Sequence, residues 1–318
     1  MTDLIREAIA AEADERVDPR TVMAELQKKR RRKPFGLIAG AGLTAAAVAV
    51  AVTVLVPRTE PSINVATAPP AQPQTVLLMG LDDYFHTDAI VLVHVDANGA
   101  LGSVSIPRDS VVDIPGFRRE RINEAYTEAY LDPKGEDPDV AGAKSLVKTV
   151  EQLTGTKIDH WASVKMSAFG KVADVLGGVD VCLKAAAKDT FSGADFPAGR
   201  VRLAGDQALA FLRQRHGLEN GDLDRVARQQ AFLGSVVAKL AQQPDKLGDI
   251  VKAINPSVKV DDGWDVLAFA KQIKQQVASG VIPVGVGDPM TPGLAVDPAA
   301  VREYVKTPPT KDPDTCVR

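Results

Sequence analysis

The sequence predicts an α/β sandwich with a mixed sheet, preceded by one transmembrane helix. Three observations carry that expectation. Helix-period and strand-period segments alternate between residues 141 and 183. The turn AspAlaAsnGly (96–99) puts an Asn-Gly pair between two apolar runs, a strong hairpin signal. No charged residue occurs from Phe35 to Val56, about 22 residues, enough to span a hydrocarbon core of about 30 Å as a helix.

The chain has 318 residues and a formal net charge of −3, which argues against a general nucleic-acid binder. Residues 1–34 are polar and close on the basic cluster Lys28 to Lys33. The positive-inside rule makes them a cytoplasmic N-terminal segment, with everything after Pro57 outside. The apolar run 35–56 exceeds a signal-peptide h-region and no small-x-small site closes it, so it reads as an uncleaved anchor. Residues 57–74, rich in Pro, Ala and polar residues, read as a partly extended linker. The folded external domain is expected over 75–318.

That domain opens with a strand at Thr75–Met79, ending at Gly80, with Asp82 and Asp83 beyond it. A second strand at Ala89–Val95 follows Asp88, and a return strand runs to Ile106, where Pro107 stops it. Antiparallel pairing puts Asp88 and Arg108-Asp109 at one sheet edge. If the first strand lies beside the return strand and parallel to it, Asp82 joins them there. Such a group is either an ion-pair cluster or a seat for a hard cation such as Mg²⁺, which takes one or two carboxylates plus substrate phosphates. Arg118, Arg119 and Arg121 add positive charge near that edge, after which residues 131–139 form a loop. The spacing predicts a helix over Ala141–Leu153, a strand over Trp161–Met166, a helix over Ser167–Leu176 and a strand over Val179–Leu183. The apolar helix faces pack the core or line a greasy groove. Phe191–Gly199 reads as a loop flanking the site.

The stretch from Leu203 to Gln230 carries Arg213, Arg215, Arg225 and Arg228. If the chain is extended after Leu209, Arg213 and Arg215 leave one edge together. The second pair opens a helix, with Asp222 or Asp224 as N-cap, and Arg225, Arg228 and Gln229 share a face of it. Fork-shaped guanidiniums at a helix N-terminus make a phosphate or pyrophosphate clamp; the plainer alternative is a solvated basic face paired to Asp222 and Asp224. Further helices are expected at Pro244–Ile254 and Trp264–Ala278, then a strand at Val281–Val286 and the segment Asp297–Val305. Cys182 and Cys316 both lie on the expected outer side, where an oxidising exterior permits a disulfide between them; unpaired thiols are the alternative.

The ordered motifs GlyLeuAspAsp (80–83), ThrAspAlaIleValLeuValHis (87–94), SerIleProArgAspSer (105–110), ArgIleAsnGluAlaTyr (121–126) and ValLeuGlyGlyValAspVal (175–181), with the arginine stretch, resemble the LytR-CpsA-Psr family of cell-wall glycopolymer ligases. The resemblance runs from about Thr75 to Leu240 and more weakly to about Val305. It implies a three-layer α-β-α sandwich. It also implies a phosphotransferase that, with Mg²⁺ or Mn²⁺, moves a polyprenyl-pyrophosphate-linked glycopolymer to a peptidoglycan hydroxyl. Teichoic acid, capsule and arabinogalactan types all fit. By the same resemblance Asp82 and Asp88 match the metal-side acids, Asp88 is a candidate base, and Arg108 holds the pyrophosphate beside the metal. Arg213, Arg215, Arg225 and Gln229 match the polar clamp, and Arg121 stands where the family often has Lys or Arg. The family's usual Arg-Ser before the second acid is His86-Thr87 here, and the Thr after it is Ala89. A non-catalytic binder of anionic polyprenyl lipid, or a lipid pyrophosphatase, are the competing readings.

Overall fold

The computed structural model describes residues 72–287, 292–308 and 316–318. The expected cytoplasmic segment, the membrane helix 35–56 and nearly all of the linker lie outside the described residues. Among the described residues no helix is long and apolar enough to cross a membrane.

Strands β1 (Gln74–Leu81), β2 (Thr87–Val95) and β3 (Ala100–Ser105) form an antiparallel meander, with Leu77 opposite Leu92 and Leu92 opposite Val104. The Asn-Gly turn closes as its sequence predicts: Gly99 sits at φ 85°, and Asp96 Oδ1 accepts from the amides of Asn98 and Ala100 at 2.8 Å each. β1 does not lie beside β3. Only residues 82–86 join β1 to β2, so those two pair as a hairpin and β2 takes the centre. β1 still runs parallel to β3 one strand away, which keeps Asp82, Asp88 and Arg108 at the same end of the sheet.

The short hairpin β4 (Val111–Asp113) and β5 (Arg119–Arg121) leads into helices α1 (Glu124–Leu131) and α2 (Pro138–Thr154). α2 has strong stop signals at both ends. Asp137 caps it by accepting from the amides of Asp139 and Val140, and Gly155 closes it at φ 68°. β6 (His160–Lys165) then pairs parallel with β1, and α3 (Ser167–Val175) follows. β7 (Val179–Leu183), β8 (Ala187–Asp189), β9 (Ala194–Phe196) and β10 (Gly199–Leu203) form two small antiparallel pairs outside the main sheet.

Next come α4 (Gly205–Arg213), α5 (Asp222–Gln242) and α6 (Leu247–Ile254). β11 (Val258–Val260) pairs antiparallel with β6. α7 (Val266–Gln272) precedes β12 (Gln275–Val281), which pairs parallel with β3. β13 (Gly285–Val286), β14 (Leu294–Ala295) and α8 (Pro298–Lys306) complete the described elements. The main sheet has six strands in the order β11-β6-β1-β2-β3-β12, parallel and antiparallel neighbours mixed.

Side-chain alternation divides the core between the two faces of this sheet. Leu77, Met79, Ile90 and Leu92 pack with Tyr126 of α1, Leu146 of α2 and Val301 of α8. Val76, Val91 and Val93 pack with Phe269 of α7 and Leu233 of α5. A separate cluster joins α3, α4 and α6 to the small strand pairs through Phe211, Leu176 and Ile250.

Three expectations are corrected here. Leu209 to Leu212 are helical, in α4, rather than extended. The helical pattern at 264–278 ends at Gln272, and its second half is β12. That strand covers the edge of β3, an open ladder no local pattern can announce. α5 begins at Asp222 with Gly221 as N-cap, so neither Asp222 nor Asp224 caps it.

Candidate functional site

The site grows from one carboxylate. Asp88, the second residue of β2, points into the gap between the sheet edge and the α4–α5 connection. Its Oδ1 takes three guanidiniums: Arg108 Nη1, Arg215 Nη2 at 2.9 Å and Arg225 Nη1 at 3.2 Å. Its main-chain oxygen accepts from Gln229 Nε2 at 3.4 Å. Burial alone would push the Asp88 carboxyl up. The Arg225, Arg108 and Arg215 charges outweigh burial and hold it below the ordinary carboxylate range.

Each cation arrives from a different element. Arg108 follows β3, just past the Pro107 that ends it. Arg225 lies in the first turn of α5, its side chain 1% exposed, and its Nη2 stands 2.5 Å from Asp222 Oδ1. Arg215 lies beyond the C-terminus of α4, where Gln214 turns extended at φ −56°, ψ 131°. Burial and the neighbouring Arg225 and Arg108 charges lower the Arg215 pKa from its usual value. Its amide is held by Asp189 Oδ2 at 3.4 Å. Asp189 also accepts from the Phe191 amide and the Ser192 hydroxyl, each at 2.9 Å. Sequence reasoning missed this buried organiser, although an acid two residues before a loop is a turn signal.

The remaining expected residues sit apart from Asp88. Arg213 ends α4 and reaches Asp83 at 3.5 Å, so it and Arg215 do not leave one edge together. Arg121 pairs with Glu124 at 3.1 Å and Asp109 at 3.6 Å. Asp82 holds its own turn, accepting from the amides of Tyr84 (2.8 Å) and His86 (2.9 Å) and lying 3.2 Å from His86 Nδ1. Arg228 is fully buried, but its Nη1 donates to Gln214 Oε1 and its Nε to the main-chain oxygen of Arg318, both at 2.5 Å. It also stacks 5.0 Å over the Phe211 ring, and burial lowers its pKa to about 10. Its expected place in the clamp is therefore corrected. Successive helix residues rotate by about 100°, so Arg225 and Gln229 are nearly in line while Arg228 falls on another edge. Cys182 in β7 is bonded to Cys316.

Next to Asp88 in the chain, Ala89 lines an apolar cavity of about 100 Å³ together with Leu78, Gly80, Met166, Phe169 and Phe232, with Gln229 beside them. Gly80 faces Ala89 across the β1–β2 ladder. A Cβ on Gly80 would stand 2.9 Å from the Met166 sulfur and 3.0 Å from Ala89 Cβ, so glycine is what keeps this wall thin. A second cleft of about 370 Å³ opens on the other side of Arg225, lined by Asp109, Arg121, Asn220 and Asp222. Among the described residues no group of three His, Cys, Asp or Glu side chains is placed to hold a metal ion. A cluster of cations around one buried anion, with an apolar cavity lined by the next residue, suits a ligand that is anionic at one end and greasy at the other.

The chain is similar to several known proteins. The chain is 36% identical over 228 residues to the cell wall biosynthesis protein LcpA of Corynebacterium glutamicum, covering 64% of this chain and 43% of that one. It is 31% identical over 207 residues to the polyisoprenyl-teichoic acid–peptidoglycan teichoic acid transferase TagU of Bacillus mycoides, covering 63% and 64%. It thus spans less than two thirds of the length of these relatives. The crystal structure of B. subtilis TagU superposes with a TM-score of 0.55 at 28% identity, over 74% of this chain and 95% of that one. B. subtilis TagV shares the fold, with a TM-score of 0.59 at 24% identity over the same shares. The family profile described as LytR_cpsA_psr matches residues 42–285. That match takes in the sheet, Asp88 and every cation around it, and the chain belongs to the LytR_cpsA_psr family.

Proposed function

We propose that this protein is a phosphotransferase that attaches a polyprenyl-pyrophosphate-linked glycopolymer to a hydroxyl of peptidoglycan. The observation that carries the reading is the convergence of Arg108, Arg215 and Arg225 on one oxygen of Asp88, with an apolar cavity lined by the next residue, Ala89, and by Gln229. A pyrophosphate competes with Asp88 for the same three guanidiniums, and its prenyl tail has an apolar place to go. The names of its relatives support the reading: TagU is a polyisoprenyl-teichoic acid–peptidoglycan teichoic acid transferase, and LcpA a cell wall biosynthesis protein.

Asp82 and Asp88 are the residues that would hold Mg²⁺ or Mn²⁺. They are hard oxygen donors at one sheet end, and Mg²⁺ is commonly held by one or two carboxylates together with substrate phosphates, so their chemistry suits a hard cation once the pyrophosphate draws the guanidiniums from Asp88. A cation bound there neutralises charge on the phosphoryl oxygens. The chain's own residues do the rest. Arg108 and Arg225 fix the pyrophosphate in a buried setting, Arg215 closes over it from the half-exposed side, and Gln229 orients the strand that carries Asp88. Arg213 and Arg121 extend the positive field outward.

In this reading residues 35–56 anchor the chain in the membrane, with residues 1–34 cytoplasmic and the domain outside, near its lipid donor. The bonded pair Cys182–Cys316 suits such an oxidising compartment. The test is release of polyprenyl phosphate by the full chain in detergent, with a lipid-linked glycan, Mg²⁺ and peptidoglycan. Release that requires the acceptor and is abolished by Asp88→Ala is the expected result. Tight donor binding without turnover under any acceptor would instead support a binding protein.

A further inference from the structure

Asp88 is badly suited to take a proton, because three guanidiniums hold it ionised and occupied. The transfer still needs a proton acceptor, since a sugar hydroxyl attacks phosphorus poorly while it keeps its hydrogen. The far side of Arg225 offers one. Asp222, the first residue of α5, meets Arg225 Nη2 through Oδ1 at 2.5 Å. Its other oxygen, Oδ2, is buried and has no hydrogen-bond partner. The side chain lines the 370 Å³ cleft that also exposes Asp109, Arg121 and Asn220. Arg225 thus stands between two carboxylates, one facing the expected pyrophosphate and one facing an open cleft large enough for a sugar ring.

We propose that the Asp222 carboxylate is the base that accepts the proton of the attacking hydroxyl, and that the Asp109–Arg121–Asp222 cleft is where the acceptor glycan enters. The inference rests on the transferase reading above. In the step, the acceptor oxygen forms a bond to the phosphorus that carries the glycan. The bond from that phosphorus to the bridging oxygen breaks, and polyprenyl phosphate departs with the electron pair. The acceptor's proton passes to Asp222. Arg225, touching both carboxylates, ties the base to the anion site.

The electrostatics of the cleft agree. Burial pushes the Asp222 carboxyl above its usual value, the Arg225 charge opposes this, and the nearby Asp109 carboxylate adds to the rise. Arg108 and Arg215 also face it and pull in the opposite direction. Arg121 adds a further positive charge on the wall of the cleft. A carboxyl held above its usual value is a better base than Asp88, whose carboxyl is held below it. Because the ionised form is the active one, the rate should fall as pH drops through that raised value.

The experiment uses the full chain in detergent, with lipid-linked donor, Mg²⁺ and peptidoglycan, and follows transfer rate against pH alongside donor binding. Asp222→Asn keeps the side chain's shape and one oxygen for Arg225. The expected result is a rate lowered by at least about 100-fold, on the scale of lost general-base catalysis. Donor affinity should stay within about threefold of the parent, and the acid limb of the profile should disappear. Formate should restore part of the rate to Asp222→Gly. A variant that keeps a third or more of the parent rate, or that retains the acid limb, overturns the assignment. So does a loss of donor affinity in proportion to the rate, which would make Asp222 only a holder of Arg225. These outcomes require a parent protein that transfers glycan; a parent that binds donor and never transfers overturns the transferase reading, and this inference with it.

Discussion

Arg225 and Arg228 lie three residues apart on one helix, are equally buried, and do different work. Arg225 bridges Asp88 and Asp222; Arg228 ties Gln214 to the main chain at Arg318. The difference is one of angle around the α5 axis. Arg225 and Gln229 could be paired from the sequence because four residues nearly complete a turn. The fate of Arg228 could not, because its acceptor lies 90 residues away in the chain. Substitution separates the two roles. Arg228→Ala should cost about 2–4 kcal/mol of stability, through a lost charge-assisted pair and two acceptors left unsatisfied. It should leave pyrophosphate affinity nearly unchanged. Arg215→Ala, at a half-exposed position, should do the reverse, weakening pyrophosphate binding about 10- to 100-fold, the scale of one charge-assisted hydrogen bond to a charged group. Denaturant melts and a pyrophosphate titration of both variants decide the matter.

At the scale of elements, the sequence was most legible where local chemistry is decisive. The Asn-Gly turn, the Ala141–Leu153 body of α2, and the strand runs of β1, β2 and β6 emerge where their residues place them, although α2 starts at Pro138, capped by Asp137 inside the expected loop. It was least legible where partners are distant. β12 carries a pattern that also reads as helix, and pairing with β3 settles it. α4 hides behind Gln214, whose extended turn separates Arg213 from Arg215. The carboxylates and cations of the site could be named in advance because they cluster at strand and helix ends. The apolar cavity could not, since it is assembled from β1, β2, β6, α3, α4 and α5 together. That cavity makes its own prediction. Ala89→Phe fills space beside Gly80 and Met166. Overfilling a site of this size costs about 1–3 kcal/mol, so binding of a long-chain prenyl pyrophosphate should weaken roughly 5- to 100-fold. Binding of inorganic pyrophosphate should not change. Equal losses for both ligands would place the prenyl tail elsewhere.

Across the whole molecule, the three residues 316–318 tie together β7, the α4–α5 connection and α5. Cys316 is bonded to Cys182 in β7. Val317 donates from its amide to Cys182 O at 2.9 Å and accepts from the Lys184 amide at 2.8 Å, so the segment adds to the edge of β7. Arg318 pairs with Glu219 in the α4–α5 connection, and its main-chain oxygen takes Arg228. The same connection carries Arg215 and leads into Arg225. The disulfide spans 134 residues of sequence. Closing a loop of that order is worth about 4–5 kcal/mol in the chain-entropy model, and measured values for native bonds run about 2–5. Cys316→Ser should therefore lower the unfolding free energy by about 2–5 kcal/mol. The structural consequence should be local. Amide hydrogen exchange should quicken in 316–318, in β7, and in the first turns of α5, where Arg228 loses an acceptor. It should stay slow in β1, β2 and the α2 face of the sheet, which the segment never touches. Exchange that quickens uniformly over the sheet would show that the bond holds up the whole domain and not the wall beside its cations.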